Sequence, residues 1–304
     1  MPAPSFSRYK WSCFHQVSVI INLETFTDLN KQGKMVQFVV TGAGRGIGLE
    51  FVNQLSQDSE NVVFAVVRNK NKIEYLKPIA DERPNVHVIE ADVTSASALK
   101  QAAKEVAEIT GGSLDVLISN AGGLLDPTIT IADPNHTPEE IGNDFLENYK
   151  WNTVSHIYAN NYFLPLLRKG EKKKIINISS GIADIQFTKT SKILLNAGYG
   201  SSKAALNYNV IKYALELEPE GFTVVALSPG FVDTSKTREG PIPEEFQKMF
   251  GTLLEGFRRA QPDWDGKPIS VEDSVAQQIQ VINKLGPKDS GIFISQNGST
   301  DKWL

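Results

Sequence analysis

Tyr199 and Lys203 lie four residues apart in the segment from Gly198 to Leu206. Four residues make about one turn of an α-helix, so both side chains would project from the same face. A phenol has an ordinary pKa of about 10 and exchanges protons poorly near neutral pH. A neighbouring ammonium favours the phenolate and lowers that pKa. The pair therefore predicts acid–base chemistry, although a Tyr and a Lys at this spacing can also be an ordinary surface pair.

The composition excludes several classes of protein. The 304 residues are 41% hydrophobic and 22% charged, with a net charge of −4, which is typical of a soluble globular protein without a basic surface for nucleic acid. No stretch approaches the roughly 18 apolar residues of a membrane span. The single Cys13 excludes an internal disulfide, and no Cys/His cluster has metal-ligand spacing. We expect a cytoplasmic protein that acts on a small molecule, without a metal, nucleic acid or membrane partner.

Residues 1–34 show no clean strand or helix period. The apolar run Val17–Ile21 is too short for a signal-peptide core. The absence of acids before Glu24 is compatible with a transit peptide, but Glu24 and Asp28 weaken that interpretation. We expect a disordered N-terminal extension over residues 1–34 and one folded domain over residues 35–304.

From Met35 onward, apolar β-branched runs alternate with helical patterns. The runs are continuously apolar, as in parallel strands buried on both faces. They predict an α/β single-domain Rossmann fold, with a doubly wound seven-stranded parallel sheet and helices on both faces. The expected strands are 36–40, 62–67, 86–89, 114–118, 174–178, 222–227 and 291–294, with helices at 47–57, 96–109 and 199–217 among others.

Two long insertions, Gly122–Pro138 and Ser235–Pro268, follow strand ends. Ligands bind at the carboxyl ends of strands in doubly wound sheets, so we expect both insertions to shape a pocket, with a substrate loop at about 235–268. An apolar set with helical spacing indicates either core packing or a lid over the substrate. Its members are Phe231, Phe246, Met249, Phe250, Leu253, Leu254 and Phe257.

The first strand runs into a glycine-rich turn, Thr41–Gly48, that opens a helix. Glycines permit a tight turn and let backbone N–H groups approach a pyrophosphate. The spacing G-x-x-x-G-x-G departs from G-x-G-x-x-G, but the strand–turn–helix context favours nucleotide binding over a purely structural turn. No acid stands at the end of the second strand, where Arg68 follows Val67. Arg68 and Arg45 could hold a 2′-phosphate, which favours NADP(H).

Six segments in the expected order make the chain resemble the classical short-chain dehydrogenase/reductase family over about residues 36–300. They are the T-G-x-x-x-G-x-G turn Thr41–Gly48, the adenine-contacting pair Asp92-Val93, the N-N-A-G-like Ser119–Gly122, the helix-four Asn152, the serine-bearing Ile176–Gly181 and the P-G-x-x-x-T loop Pro229–Thr234. The cofactor-binding residues implied by these segments and by the two arginines are Thr41, Gly42, Gly44, Arg45, Gly46, Ile47, Gly48, Arg68, Asp92, Val93, Asn120, Ala121, Gly122, Tyr199, Lys203, Pro229, Gly230, Val232 and Thr234.

The resemblance implies that Asn152, Ser180, Tyr199 and Lys203 are the catalytic residues. Tyr199 would donate the proton to a substrate carbonyl, and Ser180 would stabilise the developing oxyanion. Lys203 would lower the pKa of Tyr199 and hold ribose hydroxyls, and Asn152 would position a water. The four histidines lack a partner pattern, which favours structural roles for His15, His87, His136 and His156.

Ser180 and Tyr199 are 19 residues apart, more than in many members of the family, and the extra segment Asp184–Asn196 could cover the pocket or rest on the surface. The chain looks most like sniffer/C-factor-like carbonyl reductases and fungal norsolorinic-acid-type ketoreductases, which implies a carbonyl substrate, in secondary metabolism. Two alternatives remain: an NADP-linked secondary-alcohol dehydrogenase and a non-catalytic dinucleotide-binding sensor or scaffold. The family's packing of the Tyr199 helix against a second subunit implies a homodimer or homotetramer.

Overall fold

Seven parallel strands form the central sheet of the protein, seen in a computed structural model that describes residues 35–237, 240 and 244–304. The first six are β1 (Val36–Thr41), β2 (Asn61–Val67), β3 (Val86–Glu90), β4 (Val116–Ser119), β5 (Lys174–Ile178) and β6 (Thr223–Ser228). Two short strands, β7 (Val232–Asp233) and β8 (Ile269–Ser270), pair with each other, and β9 (Phe293–Ser295) completes the large sheet. The expectations for residues 1–34, including His15, lie outside the described residues.

The strand order β3-β2-β1-β4-β5-β6-β9 reverses between β1 and β4. All neighbouring pairs in this sheet are parallel. The carboxyl ends of β1 and β4 therefore lie side by side at a topological switch point, where doubly wound sheets bind their ligands. The predicted fold is confirmed.

Helices cover both faces of the sheet because adjacent strand residues point to opposite sides. Val40 packs in a core on the face covered by α1 and α9, whereas Val39 packs in a second core under α3, α5 and α7. The helices of the described residues are α1 (Gly46–Leu55), α2 (Lys77–Glu82), α3 (Ala96–Thr110), α4 (Pro138–Tyr149), α5 (Ser155–Leu167), α6 (Ile185–Ser191), α7 (Ala197–Leu217), α8 (Glu244–Ala260) and α9 (Val271–Lys284).

A third apolar cluster lies apart from the two faces of the sheet and joins α6, α8 and the carboxyl-terminal residues. Its buried members are Phe187, Leu253, Phe257 and Trp303. The Trp303 ring stacks on Phe293 of β9 with 4.0 Å between ring centroids. The cluster thus connects the insertion that follows β5 with the one that follows β6.

Two further findings bear on function. Within the described part of the chain, no helix is long and apolar enough to cross a membrane. The same residues contain no group of three or more His, Cys, Asp or Glu side chains that could hold a metal ion.

Candidate active site

The ends of β1 and β4 are tied together through Thr41. Its Oγ1 accepts hydrogen bonds from the backbone N–H groups of Asn120 at 2.9 Å and Ala121 at 3.0 Å. The Asn120 Nδ2 in turn donates to the Thr41 carbonyl at 2.9 Å. These three hydrogen bonds fix the two loops that leave the switch point. They therefore give positioning roles to Thr41, Asn120 and Ala121.

The glycine-rich turn is too tight for side chains at two positions. Gly42 has a φ of +68°, and a Cβ there would lie 2.9 Å from the Cα of Ala121. A Cβ on Gly48 would lie 2.3 Å from the Gly42 carbonyl oxygen. The turn therefore presents backbone rather than side chains at the amino end of α1, where the N–H groups and the helix dipole favour an anion. A pyrophosphate fits this cradle.

Arg45 and Arg68 are both exposed, Arg45 at the amino end of α1 and Arg68 directly after β2. Asp92 follows β3, and its Oδ1 accepts from the Thr94 backbone N–H at 2.8 Å and hydroxyl at 2.7 Å. Burial favours the neutral Asp92 carboxyl, but the two Thr94 hydrogen bonds and the charge of Arg68 outweigh it and hold the pKa below its ordinary value. Asp92 is thus ionised, and it interacts electrostatically with Arg68.

Ser180 and Tyr199 are brought together as predicted. Ser180 follows β5 and begins a single 3₁₀ turn, and Tyr199 lies in the first turn of α7. Burial raises the pKa of the Tyr199 phenol above its ordinary value, and a hydrogen bond from the Ser180 hydroxyl opposes this rise. The prediction that the Tyr199 pKa is lowered is therefore wrong for the protein without its cofactor. The four-residue spacing of Tyr199 and Lys203 does not reveal how deeply the Tyr199 phenol is buried. A phenol in this state is protonated at neutral pH.

Lys203 lies one turn after Tyr199 and is only 3% exposed. Its Nζ donates a hydrogen bond of 2.7 Å to the carbonyl oxygen of Ile178, the last residue of β5. Burial lowers the pKa of the ammonium to about 7. Lys203 is consequently a desolvated amine held at the end of β5.

Asn152 lies in a π-helical turn, Lys150–Val154, between α4 and α5. Its fully buried amide makes two bonds to Gly123, accepting from the N–H at 2.8 Å and donating to the carbonyl at 3.0 Å. A Cβ on Gly122 would lie 2.7 Å from the Asn152 Oδ1 and 3.3 Å from the Lys203 Nζ. Asn152 and Lys203 therefore meet across Gly122. The π turn is typical of functional sites, but the sequence carries no signal for it.

A buried polar network that sequence reasoning missed lies behind Lys203. The ring of His156 contacts the Ala121 carbonyl through Nε2 at 3.1 Å and the Asn177 Oδ1 through Nδ1 at 3.2 Å. Burial, followed by the charge of Lys203, lowers the pKa of His156 to about 3. His156 is therefore neutral and supports the loop that carries Ala121, in agreement with the structural role predicted for it.

The P-G-x-x-x-T loop returns over the glycine turn. The Pro229 carbonyl accepts from the Ser274 hydroxyl of α9 at 2.6 Å. A Cβ on Gly46 would lie 3.5 Å from the Thr234 methyl, and the Gly46 N–H donates to the Thr237 Oγ1 at 2.9 Å. The loop thus reaches the cofactor cradle, and Thr237 is a contact that the motif alone does not indicate.

The apolar set that begins at Phe231 packs in part into the third cluster, which agrees with the first of its two predicted roles. Leu253 and Phe257 are buried in the third cluster, and the Phe231 ring lies 5.2 Å from the Phe257 ring. Met249 and Phe250, by contrast, line a small cavity with residues of two other segments. Helix α8 is therefore a packed element with one face toward a cavity. The side chain of Phe246 lies outside the described part of the chain.

Known proteins are similar to this chain over most of its length. The sequence model for short chain dehydrogenases matches residues 37–242. The chain is 43% identical over 277 residues to the short-chain dehydrogenase/reductase atnB of Arthrinium sp, covering 89% of this chain and 100% of that protein. It is 35% identical, with the same coverage, to the short chain dehydrogenase virK of Hypocrea virens.

Two solved structures share the fold over most of the chain. The NADPH-bound carbonyl reductase from chicken fatty liver matches with a TM-score of 0.71 at 30% identity, over 89% of this chain and 95% of that one. The carbonyl reductase Sniffer of D. melanogaster matches with a TM-score of 0.69 at 25% identity, over 88% and 100%. The chain belongs to the short-chain dehydrogenase family and is an oxidoreductase of that type, close to the carbonyl reductases.

Proposed function

We propose that this protein reduces a ketone or aldehyde carbonyl to an alcohol with NADPH, using Tyr199 as the proton donor. The observation that carries the proposal is the convergence of Ser180, Tyr199, Lys203 and Asn152 beside a glycine cradle at the switch point of the sheet. A protonated phenol bonded to a serine hydroxyl is suited to protonating an oxygen that gains negative charge.

The cofactor proposal depends on the shape and charge of the cradle. The residues that would hold the pyrophosphate and ribose belong to the Thr41–Gly48 turn and to Asn120–Gly122, with Lys203 beside them. Arg45 and Arg68 would hold the 2′-phosphate of NADP(H), since a guanidinium bonds phosphate oxygens as a planar fork. The NADPH bound to the chicken carbonyl reductase supports the same choice here. When bound, the nicotinamide supplies a hydride to the substrate carbon.

Four side chains carry out the proton transfer and stabilise the charge that develops. Ser180 donates a hydrogen bond to the carbonyl oxygen, and Tyr199 transfers its phenolic proton to that oxygen as charge develops. The buried ammonium of Lys203 favours the resulting phenolate and offers N–H groups to ribose hydroxyls. Asn152, held by Gly123 beside Lys203, positions a water that returns the proton from solvent.

Two other functions use the same residues. If the site catalyses the reverse reaction, the protein is an NADP-linked secondary-alcohol dehydrogenase, and Tyr199 accepts the proton. A dinucleotide-binding sensor or scaffold would need the cradle but not the acid–base residues, so the intact set of four favours an enzyme. A place in secondary metabolism rests on the resemblance to fungal ketoreductases.

We also propose a homodimer or homotetramer that uses α7. Tyr208, Ile211 and Leu215 are 63%, 46% and 62% exposed, and their spacing places them on one stripe of the helix. Val210 and Ala214 of the same helix are buried in the core, so they are not available to a partner. Light scattering of the protein and of an Ile211→Glu/Leu215→Glu variant tests the proposal, and an unchanged mass would contradict it.

The activity is tested by following NADPH oxidation with a panel of ketones, aldehydes and quinones. We expect turnover with at least one carbonyl class and none in Tyr199→Phe. NADPH that binds the protein but is consumed with no member of the panel would instead support the sensor. Oxidation of secondary alcohols with NADP⁺ in the same assay measures the reverse reaction.

A further inference from the structure

A hydrogen bond between Ser179 and Asn207 lies directly beside the proposed catalytic residues. The Ser179 hydroxyl donates to the Asn207 Oδ1 at 2.6 Å, a distance typical of a well-formed bond between two oxygens. Ser179 is 3% exposed and immediately precedes Ser180 in the chain. Asn207 is half-buried and lies one helical turn after Lys203 on α7. The bond therefore joins the neighbour of the proposed oxyanion donor to the helix that carries Tyr199.

Asn207 continues a spacing that Tyr199 and Lys203 begin. The three residues follow one another at intervals of four, so their side chains share one face of α7. Tyr199 is bonded to Ser180, and Lys203 is bonded to the carbonyl of Ile178. Asn207 is bonded to the residue between those two. Three successive turns of one helix thus contact three successive residues at the end of one strand.

Ser179 is held by its backbone as well as by its side chain. Its N–H donates to the Leu227 carbonyl of β6 at 2.8 Å, which extends the pairing of β5 with β6 one residue beyond Ile178. Adjacent strand residues point to opposite faces of a sheet. Ile178 packs in the core under α1 and α9, so the Ser179 side chain points to the face covered by α7. Ser180 then begins the 3₁₀ turn, and Ser179 is the anchored residue that precedes it.

Packing alone does not account for an asparagine at position 207. The face of α7 that contacts the sheet continues beyond Asn207 with Val210 and Ala214, which are buried in the apolar core. A leucine at position 207 would extend that core and is a better helix former than asparagine. A half-buried amide loses part of its hydration, and the bond from the Ser179 hydroxyl compensates for that loss. The position therefore provides one directed contact with the strand end instead of apolar packing.

We propose that Ser179 and Asn207 are positioning residues of the active site, which hold Ser180 in the place relative to Tyr199 that proton transfer to the substrate requires. This inference rests on the proposed carbonyl-reductase function. The pair acts through Ser180 and Tyr199 and takes no part in the reaction itself. Without the bond, the end of β5 and α7 remain joined beside the site through Lys203 but can shift against each other. A misplacement of about 1 Å at the reacting groups can lower a rate by about 10²-fold.

The test removes the bond from either side. Ser179→Ala and Asn207→Leu should each lower kcat about 5- to 20-fold, while KM and the dissociation constant of NADPH stay within about three-fold of the parent values. Asn207→Asp keeps an acceptor oxygen for the Ser179 hydroxyl, so its kcat should stay within about three-fold of the parent value. A loss in Asn207→Asp as large as that in Asn207→Leu would overturn the inference.

Ser113→Ala is the matched control, because it removes the same kind of bond far from the site. The Ser113 hydroxyl donates to the Gln37 Oε1 at 2.9 Å, at the amino-terminal end of the sheet. Ser113→Ala and Ser179→Ala should lower the melting temperature by similar amounts, but only Ser179→Ala should lower kcat. An equal loss of kcat in both variants would show that reduced stability is the cause and would overturn the inference.

Carbon-13 NMR of protein labelled at the tyrosine Cζ gives a readout that does not depend on turnover. The Tyr199 signal, identified by its absence in Tyr199→Phe, should shift in Ser179→Ala and Asn207→Leu and stay in place in Asn207→Asp and Ser113→Ala. That pattern would support the positioning role even if no carbonyl were reduced, a result that would overturn only the proposed activity. An unchanged kcat together with an unchanged Tyr199 signal in Ser179→Ala would overturn the inference.

Discussion

The Nζ of Lys203 donates a 2.7 Å hydrogen bond to the carbonyl oxygen of Ile178, two residues before Ser180. The contact joins the helix that carries Tyr199 to the strand that leads to Ser180, so it fixes the relative position of the proposed proton donor and oxyanion donor. It also holds an ammonium out of water, and burial lowers its pKa from 10.5 to about 7. Such a charge costs stability in the free protein and supplies affinity for a ligand that carries hydroxyls or negative charge.

Lys203→Met should therefore stabilise the cofactor-free protein while removing its activity. The lowered pKa means that the unfolded chain binds a proton that the folded chain releases between pH 7 and 10.5, so the cost of burial is full below pH 7 and disappears above 10.5. We expect a gain of about 2–4 kcal/mol in the free energy of unfolding at pH 7. Urea unfolding at several pH values from 7 to 10 measures it.

The gain should shrink steadily across that range. A gain that is the same at pH 7 and pH 10 would show that packing, and not the buried charge, causes it. A loss of stability at pH 7 would show that the bond to Ile178 is worth more than the charge costs.

Tyr199→Phe should lower kcat about 10³-fold, because it removes the proton donor without disturbing the cradle. Affinity for NADPH, measured by fluorescence titration, should change by less than about three-fold. Tyr213→Phe is a matched control: Tyr213 is on the same helix, and its hydroxyl bonds to the exposed side chain of Asn161 at 2.6 Å. Comparable loss in both variants would remove Tyr199 from the catalytic role.

Arg68→Asp should move cofactor preference from NADPH toward NADH. The exposed guanidinium would bond the 2′-phosphate, whereas a carboxylate repels it and can accept a ribose hydroxyl. A hydrogen bond to a charged group is worth about 1.5–3 kcal/mol, so the ratio of the two kcat/KM values should change about 10- to 100-fold. Lys72→Asp makes the same charge change at another exposed position of this loop. An equal change in that variant would point to general electrostatics.

His156 should make the protein sensitive to acid. Its folded-state pKa of about 3 lies below the ordinary value of 6.5, so the unfolded chain binds the proton first as pH falls. Stability is complete above pH 6.5 and is lost toward pH 3, by at most about 1.4 kcal/mol per pH unit from this group. His156→Gln should flatten the pH dependence of unfolding between pH 6.5 and 4.5. A slope unchanged by the substitution would assign the acid sensitivity to other groups.

The sequence predicts well those features that depend on neighbours along the chain. Continuous apolar runs indicated all seven strands of the sheet, and the spacing of Tyr199 and Lys203 indicated one helix face. The strand expected from Leu114 begins instead at Val116, because the Leu114 N–H donates to the Leu166 carbonyl rather than to a strand. An apolar residue such as Leu114 fits either a strand or a contact with a helix end, so the sequence does not reveal where the strand begins.

Features that depend on distant segments were not predictable. The direction of the Tyr199 pKa follows from its burial, and the network of His156 and Asn177 follows from the packing of α5 on β5. The burial of the Asn196 Oδ1 follows from the meeting of α8 with the loop after β4. Each of these depends on contacts between elements that are separated by tens of residues.

The last prediction concerns the contact between Gly181 and the carboxyl-terminal tail. Gly181 follows Ser180, and a Cβ at Gly181 would lie 2.4 Å from the Cβ of Trp303. Trp303 is 2% exposed, and its backbone N–H donates to the Gln261 Oε1 at 2.6 Å. Trp303 therefore cannot move away without breaking buried contacts. Gly181→Ala should therefore displace Ser180, lower kcat about ten-fold or more, and destabilise the protein by about 1–3 kcal/mol.

A double-mutant cycle identifies the cause of that loss. Trp303→Gly removes the overlapping atom and should itself cost about 3–5 kcal/mol through the lost packing on Phe293. In that background Gly181→Ala has free space, so its additional cost in stability and kcat should fall to less than half of its value in the parent protein. Additive effects would show that the alanine acts on the Ser180 turn itself and not through the tail.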